Sequence, residues 1–236
     1  MEKTIDGAEL GLIVVRKNLR AKHYSLRVVD GKIIATVPRG GTEREMLSFI
    51  DSKRMRLLDM LAKNPTQPVL DENSHLKTHT FELRIFRTHR TNIYVSLKEG
   101  KLHIACPKET DFDQEWVQQK LWAIVTKVTR MEALRVLPSR VAMLASLHGF
   151  DYAGVTVRKA RTRWGSCSSK KQINLSVSLM FLHAHLIDYV ILHELCHTVE
   201  MSHNKRFWTL LDKVTNGCAL KLRKELRQWK FANYTN

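Results

Sequence analysis

Cysteine is scarce in this sequence. Four cysteines (Cys106, Cys167, Cys196 and Cys218) are scattered through 236 residues with no Cys-x-x-Cys pair. That argues against a disulfide framework and for free thiols in a reducing cytoplasm. Long apolar runs are missing too. No uncharged stretch approaches the roughly 18 residues a membrane helix needs, and the first residues, Met1 to Glu9, lack the apolar core of a signal peptide. No membrane partner is expected. Acidic charge is in short supply: 23 Asp and Glu face 39 Lys and Arg, giving a net charge of +16. Such a balance favours polyanions such as nucleotides or nucleic acid, and solubility alone explains it equally well.

What is present is concentrated in one stretch, Asp188-Tyr-Val-Ile-Leu-His193-Glu194-Leu-Cys-His197, with His203 six residues on. A helix turns about 100° per residue, so His193 and His197 lie about 40° apart on one face, one turn apart in height. Two imidazoles so placed can close on one zinc ion, and Glu194 is positioned to act as general base on a water. On an unbroken helix His203 would point about 240° away. It can join only if the helix ends near Thr198 to Ser202 and the chain returns. Ser202 is a suitable N-cap for a following helix with apolar positions Phe207, Leu210, Leu211 and Val214. Three protein ligands with an open fourth position is the catalytic arrangement for zinc, one ion per chain. The apolar flanks of the motif argue against a pair of surface histidines. Cys196, about 100° from His197, is expected in the core.

The first half carries a weak repeat. Asp30-Gly31 to Pro38 matches Glu99-Gly100 to Pro107 at an offset of 69. Each copy reads as strand (Tyr24 to Val29; Ile93 to Leu97), acidic-Gly turn, strand and proline, with a helix after it (Glu43 to Leu61; Phe112 onward). The stretch Lys63 to Ser74 is the best linker candidate. An amphipathic pattern runs from Trp116 to Leu137, where Pro138 is expected to break or kink the helix. A second helical piece, Val141 to Leu147, ends at Gly149. Strands are expected at Tyr152 to Val157 and Ile173 to Ser178.

Arg163-Trp-Gly-Ser-Cys167, Ile173-Asn-Leu, Ile187-Asp-Tyr-Val190, His193-Glu-Leu-Cys-His197, His203 and Phe207-Trp208 occur in the order that resembles the YgjP-like metallopeptidase family, whose zinc domain is similar to SprT-like and WLM proteases. The resemblance is close over about residues 155 to 210 and looser before it. It implies that His193, His197 and His203 are zinc ligands, that Glu194 is the catalytic glutamate, and that Trp164 to Cys167 border the cleft. Two departures lie outside the metal set. A proline usual before Asp-Tyr-Val is replaced by Leu182-His-Ala-His185, and Ser176 stands where the family has Asn. The histidine spacing also equals that of metzincins, but their turn glycine is Glu200 here, so we read that match as convergent.

Arg158, Lys159, Arg161, Arg163, Lys170 and Lys171 form a basic strip without an acid. If Val155 to Trp164 is extended, Lys159, Arg161 and Arg163 share one face. Arg161, Arg163, Trp164, Gly165 and Ser166 are the candidate substrate-binding residues. The run Lys221, Arg223, Lys224, Arg227 and Lys230 reads as a solvated helix face, and Trp208 and Trp229 read as core. His183, His185, Arg163 and Tyr189 are candidate oxyanion donors, with a surface loop the plainer reading for the two histidines. Asp188 is expected to favour the helix dipole from the first turn.

The expected fold is α+β, with residues 1–75 and 76–111 as β-hairpin units and 112–236 as a zincin-like catalytic domain. The expected function is a zinc metallopeptidase acting on peptides or unfolded protein. A nucleotide phosphohydrolase (nucleoside triphosphate pyrophosphatase type) and a DNA-associated SprT-like protease are the alternatives.

Overall fold

The computed structural model describes residues 2–29, 31–63, 68–160 and 163–229. Among these, ten strands form three small sheets and six α-helices accompany them, an α+β fold as expected. Two compact units divide between Pro68 and Val69.

In the first unit, β1 (Glu2–Asp6) pairs antiparallel with β2 (Leu12–Lys17), β2 pairs parallel with β4 (Lys32–Val37), and β4 pairs antiparallel with β3 (Ser25–Val29). Ile33 and Ala35 of β4 are fully buried at alternate positions, as a sheet with one covered face requires. The covering helix is not the single segment expected over Glu43 to Leu61. It is α1 (Glu43–Ser52) and α2 (Arg54–Lys63), separated at Lys53, which leaves the helical region. The break lets Met46 and Ile50 of α1 and Leu57 of α2 reach one core. Thr42 and Glu45 form a capping box at the start of α1, each side chain accepting the other's backbone N–H.

The second unit opens with the same three-strand pattern. β5 (Glu82–Thr88) pairs parallel with β7 (Lys101–Pro107), and β6 (Tyr94–Lys98) pairs antiparallel with β7. The expected hairpins β3–β4 and β6–β7 are present, and each is extended to three strands by a parallel neighbour, β2 or β5. The extra strand escaped the fixed offset because the loops β2–β3 and β5–β6 differ in length. Glu99 and Gly100, at φ 51 and 71, make the two-residue turn whose twist matches a hairpin.

A single helix, α3 (Glu115–His148), follows. Pro138 does not break it, contrary to expectation. The proline forfeits one bond, to the carbonyl of Leu134 on an exposed side of the helix, while Leu137 and Val141 are fully buried and pin the turns on either side. Gly149 ends the helix in the left-handed conformation. Val117, Leu121 and Val125 pack on the β5–β7 core, and Ala133, Leu137 and Val141 pack on a second core.

That second core is covered by a sheet of order β8-β10-β9: β8 (Gly154–Arg158), β10 (Gln172–Ser176) and the short β9 (Gly165–Cys167). The strand expected at Tyr152 to Val157 is β8, and it ends at Arg158, so the extended run to Trp164 that would align Lys159, Arg161 and Arg163 on one face is not a continuous strand. Helices α4 (Ala184–Cys196), α5 (Lys205–Val214) and α6 (Ala219–Gln228) complete it. Asp188 is the fifth residue of α4, not in its first turn. Its carboxylate accepts two hydrogen bonds from Arg140 of α3, from Nε at 2.6 Å and Nη2 at 2.5 Å. This bidentate pair ties the two helices together.

Candidate metal centre

Helix α4 is apolar nearly all round, so it is enclosed by its neighbours. Tyr189, Val190, Ile191, Leu192, Leu195 and Cys196 are all buried. Cys196 lies in the core as expected, and burial pushes its thiol up to about 12. The helix closes at His197. There Thr198 donates its hydroxyl to the carbonyl of Leu195, and the N–H groups of Val199 and Glu200 turn back to Cys196. Glu200 does not adopt a positive φ, so this turn needs no glycine. The next helix is capped by Asn204, whose side chain accepts the N–H of Phe207 at 3.1 Å, and not by Ser202. Ser202 instead donates its hydroxyl to Glu200 at 2.9 Å. Capping two residues later leaves His203 on the returning chain, facing α4. Trp208 holds it there by donating its indole N–H to the His203 carbonyl at 3.1 Å.

The three imidazoles converge. His203 Nε2 lies 3.1 Å from His197 Nε2 and 3.1 Å from His193 Nε2, and all three candidate ligand atoms lie within 4.8 Å of one another. Nitrogens bound at 2.0–2.1 Å to one tetrahedral ion would stand about 3.3 Å apart, so the donor set fits zinc. His197 Nδ1 sits 3.0 Å from the Glu200 carbonyl. As a donor there, it leaves the Nε2 lone pair free to bind metal. The turn that returns His203 thus also orients His197. Burial, then the neighbouring imidazoles, lower His193 to about 3, which keeps it neutral. Phe207, fully buried, underlies all three rings at centroid distances of 4.5–4.9 Å. Sequence reasoning placed Phe207 in the core without this role. Its spacing of four from His203 was the available signal.

Glu194 is 5% exposed, and burial raises its carboxyl to about 8 against the opposing charge of Arg163. Strand β9 faces it. A Cβ on Gly165 would stand 2.7 Å from Glu194 Oε1 and 2.8 Å from its Cγ, so only glycine fits here. Of the other candidate substrate residues, Trp164 lines a cavity beside the carboxylate and Arg163 is exposed near it. Ser166 instead accepts a hydrogen bond from Asn174 Nδ2 at 3.4 Å on the paired strand. Arg161 lies outside the described residues.

The cavity, of about 350 Å³, opens next to His193 and Glu194. Its far wall is α6, which presents Arg223, Leu226 and Arg227, followed by Trp229. Arg223 and Arg227 therefore line a cavity as well as meeting solvent, and half-buried Trp229 packs against the core as expected while also forming part of the cavity wall. The signal was their i, i+4 spacing, which is uninformative until α6 is docked. His183 meets Trp229 edge-on, and His185 pairs with Glu225 at 2.6 Å. Of the candidate oxyanion donors, only Tyr189 lines this cavity among the described residues.

A histidine triad on a buried helix and a returning loop, with a buried glutamate beside it, defines a metallohydrolase site on an α+β scaffold. Residues 22–229 match the model of the YgjP-like metallopeptidase domain. The chain belongs to this family and is a hydrolase of the peptidase type. Among proteins of curated function none matches it. Two solved structures share a local likeness. The metallopeptidase zymogen abylysin of Pyrococcus abyssi is 20% identical with a TM-score of 0.36, over 39% of this chain and 93% of its own. The zymogen jannalysin of Methanocaldococcus jannaschii is 20% identical with a TM-score of 0.35, over 39% and 94%. The family assignment rests on the family model. No helix among the described residues is long and apolar enough to cross a membrane.

Proposed function

We propose that this protein is a zinc-dependent peptidase in which His193, His197 and His203 hold the metal and Glu194 is the general base. The observation that carries the reading is the convergence of three imidazole nitrogens beside a buried carboxylate. Bound there, zinc would supply Lewis acidity to a water and to a substrate carbonyl. Glu194 takes the proton of the attacking water on a carboxylate oxygen and delivers it to the leaving amine nitrogen. Burial favours that proton uptake, and the absence of a side chain at Gly165 lets the carboxylate pack against β9. The edge strand β9 offers its unpaired side to an extended peptide, which would lie beside Trp164 to Cys167. The nucleotide and nucleic-acid readings rest on net charge, the basic strip from Arg158 to Lys171 and the resemblance to SprT-like proteases.

The test is zinc-loaded protein with Glu194→Gln beside it, on an unfolded protein and separately on nucleoside triphosphates. Peptide cleavage that falls by roughly 10²- to 10⁴-fold in the Gln variant, with zinc content unchanged, is the expected result. Phosphate release that is lost in the variant, with no peptide cleaved, would overturn it.

A further inference from the structure

The cavity beside His193 and Glu194 is built for more than bulk. Its body is apolar, formed by Trp164, Tyr189, Leu226 and Trp229, and two guanidinium groups, Arg223 and Arg227, stand on the α6 wall. Among the described residues neither arginine has an acidic partner, and Glu194 is the sole carboxylate on the lining. Arg223 is not simply loose in solvent. Its guanidinium lies over the Trp208 ring, 4.7 Å from the centroid, and Trp208 is itself bonded to the backbone of His203. A chain of two contacts thus fixes one cation relative to the metal centre. Tyr189 adds a hydroxyl. The residue is 3% exposed, and no hydrogen bond engages its phenol among the described residues.

We infer that this cavity is a specificity pocket for a carboxylate on the substrate, carried either by an acidic side chain flanking the scissile bond or by the chain's own C-terminus. The inference rests on the peptidase reading. Carboxylates are the anions an unmodified peptide offers. About 350 Å³ is room for one side chain, whose apolar stem would lie between Trp164 and Trp229. The carboxylate would accept charge-assisted hydrogen bonds from Arg223 and Arg227 and one from Tyr189. A neutral amide of the same shape would forgo the charge-assisted bonds to these solvent-accessible guanidinium groups, which sets the discrimination at roughly tenfold.

The test compares peptides carrying Glu or Gln next to the scissile bond, and peptides whose nearby C-terminus is free or amidated. Zinc-loaded protein supplies kcat/KM, and Glu194→Gln protein supplies calorimetric Kd without turnover. Each is repeated with Arg223→Gln and Arg227→Gln combined, and with Lys221→Gln, which changes a charge on the same helix outside the cavity. The expected result is a Glu-over-Gln or free-over-amidated ratio of roughly tenfold or more that collapses towards one in the double variant and survives Lys221→Gln. Which ratio responds identifies the source of the carboxylate. Equal values for charged and neutral peptides, or a preference that persists in the double variant, overturn the pocket. If no peptide is cleaved but Kd still shows the arginine-dependent preference, the peptidase reading fails and the pocket stands.

Discussion

Helix α4 and strand β9 face each other across Glu194 and serve it in opposite ways. The helix supplies the carboxylate, flanks it with two histidines, and buries it with a continuous apolar surface. The strand contributes an absence: at Gly165 any side chain would collide with the carboxylate. One wall is specified by which groups are present and the other by how much space is left. The two walls therefore differ in legibility. A ligand set has a chemical signature and a spacing, whereas a vacated volume shows only when the opposing element is in place.

The sharpest way to break the helix side is His203→Ala. It removes the ligand on the returning chain, so stoichiometric zinc should be lost on dialysis and peptide cleavage with it. Retained zinc and activity would show that the loop histidine is dispensable.

The burial that α4 imposes on Glu194 can be read in the metal-free protein. Its carboxyl is raised to about 8 in the fold, from an ordinary 4.5. The protonated form is therefore favoured by folding, and its stabilising contribution is complete below pH 4.5. It is lost as pH rises from there through about 8, by up to about 5 kcal/mol. His193, lowered to about 3, works the other way. Its contribution is present above its ordinary 6.5 and lost as pH falls towards 3. Denaturant unfolding of the metal-free pair isolates the glutamate: Glu194→Gln should gain on the wild type steadily between pH 4.5 and 8. A constant difference would mean that Glu194 is solvated.

Phe207→Ala removes the platform beneath the rings and should cost about 3–5 kcal/mol of stability, while Phe207→Leu should retain most of it. Equal zinc affinity in both would reduce Phe207 to packing alone.

Gly165→Ala addresses the strand side. The added methyl must displace the Glu194 carboxylate, so kcat should fall about a hundredfold with zinc content intact. An active alanine variant would end the opposition between the two walls. The smallest effect is expected for Asp188→Asn, at the far end of α4. It breaks a partly exposed pair with Arg140, worth about 1 kcal/mol of stability by denaturant unfolding, and leaves zinc binding unchanged.

Much of this was legible beforehand where local chemistry decides. The His193–Glu194–His197 helix, the turn before His203, the Glu99-Gly100 turn and the paired strands each rest on contacts within a few residues or on a two-residue periodicity. Local rules misled at Pro138 and Ser202. At Pro138 buried packing on both sides outweighs one missing hydrogen bond. At Ser202 a rival cap, Asn204, serves α5 equally well two residues later. The basic run on α6 is solvent-facing as read, but that two of its arginines also line a cavity was not legible, because a helix carries no record of what its neighbours will place beside it.

By itself the sequence determined the class of chemistry, because three imidazoles and a carboxylate at those intervals can converge without distant help. It also determined the α+β alternation, through the periods of its apolar residues. Only the tertiary structure decided what surrounds the reactive groups: Phe207 beneath the rings, Gly165 against Glu194, Asp188 on Arg140, and two arginines of α6 across a cavity from His193. Those are contacts between elements far apart in the chain. They follow from how helices and sheets pack and in what register, and no spacing along the sequence encodes that.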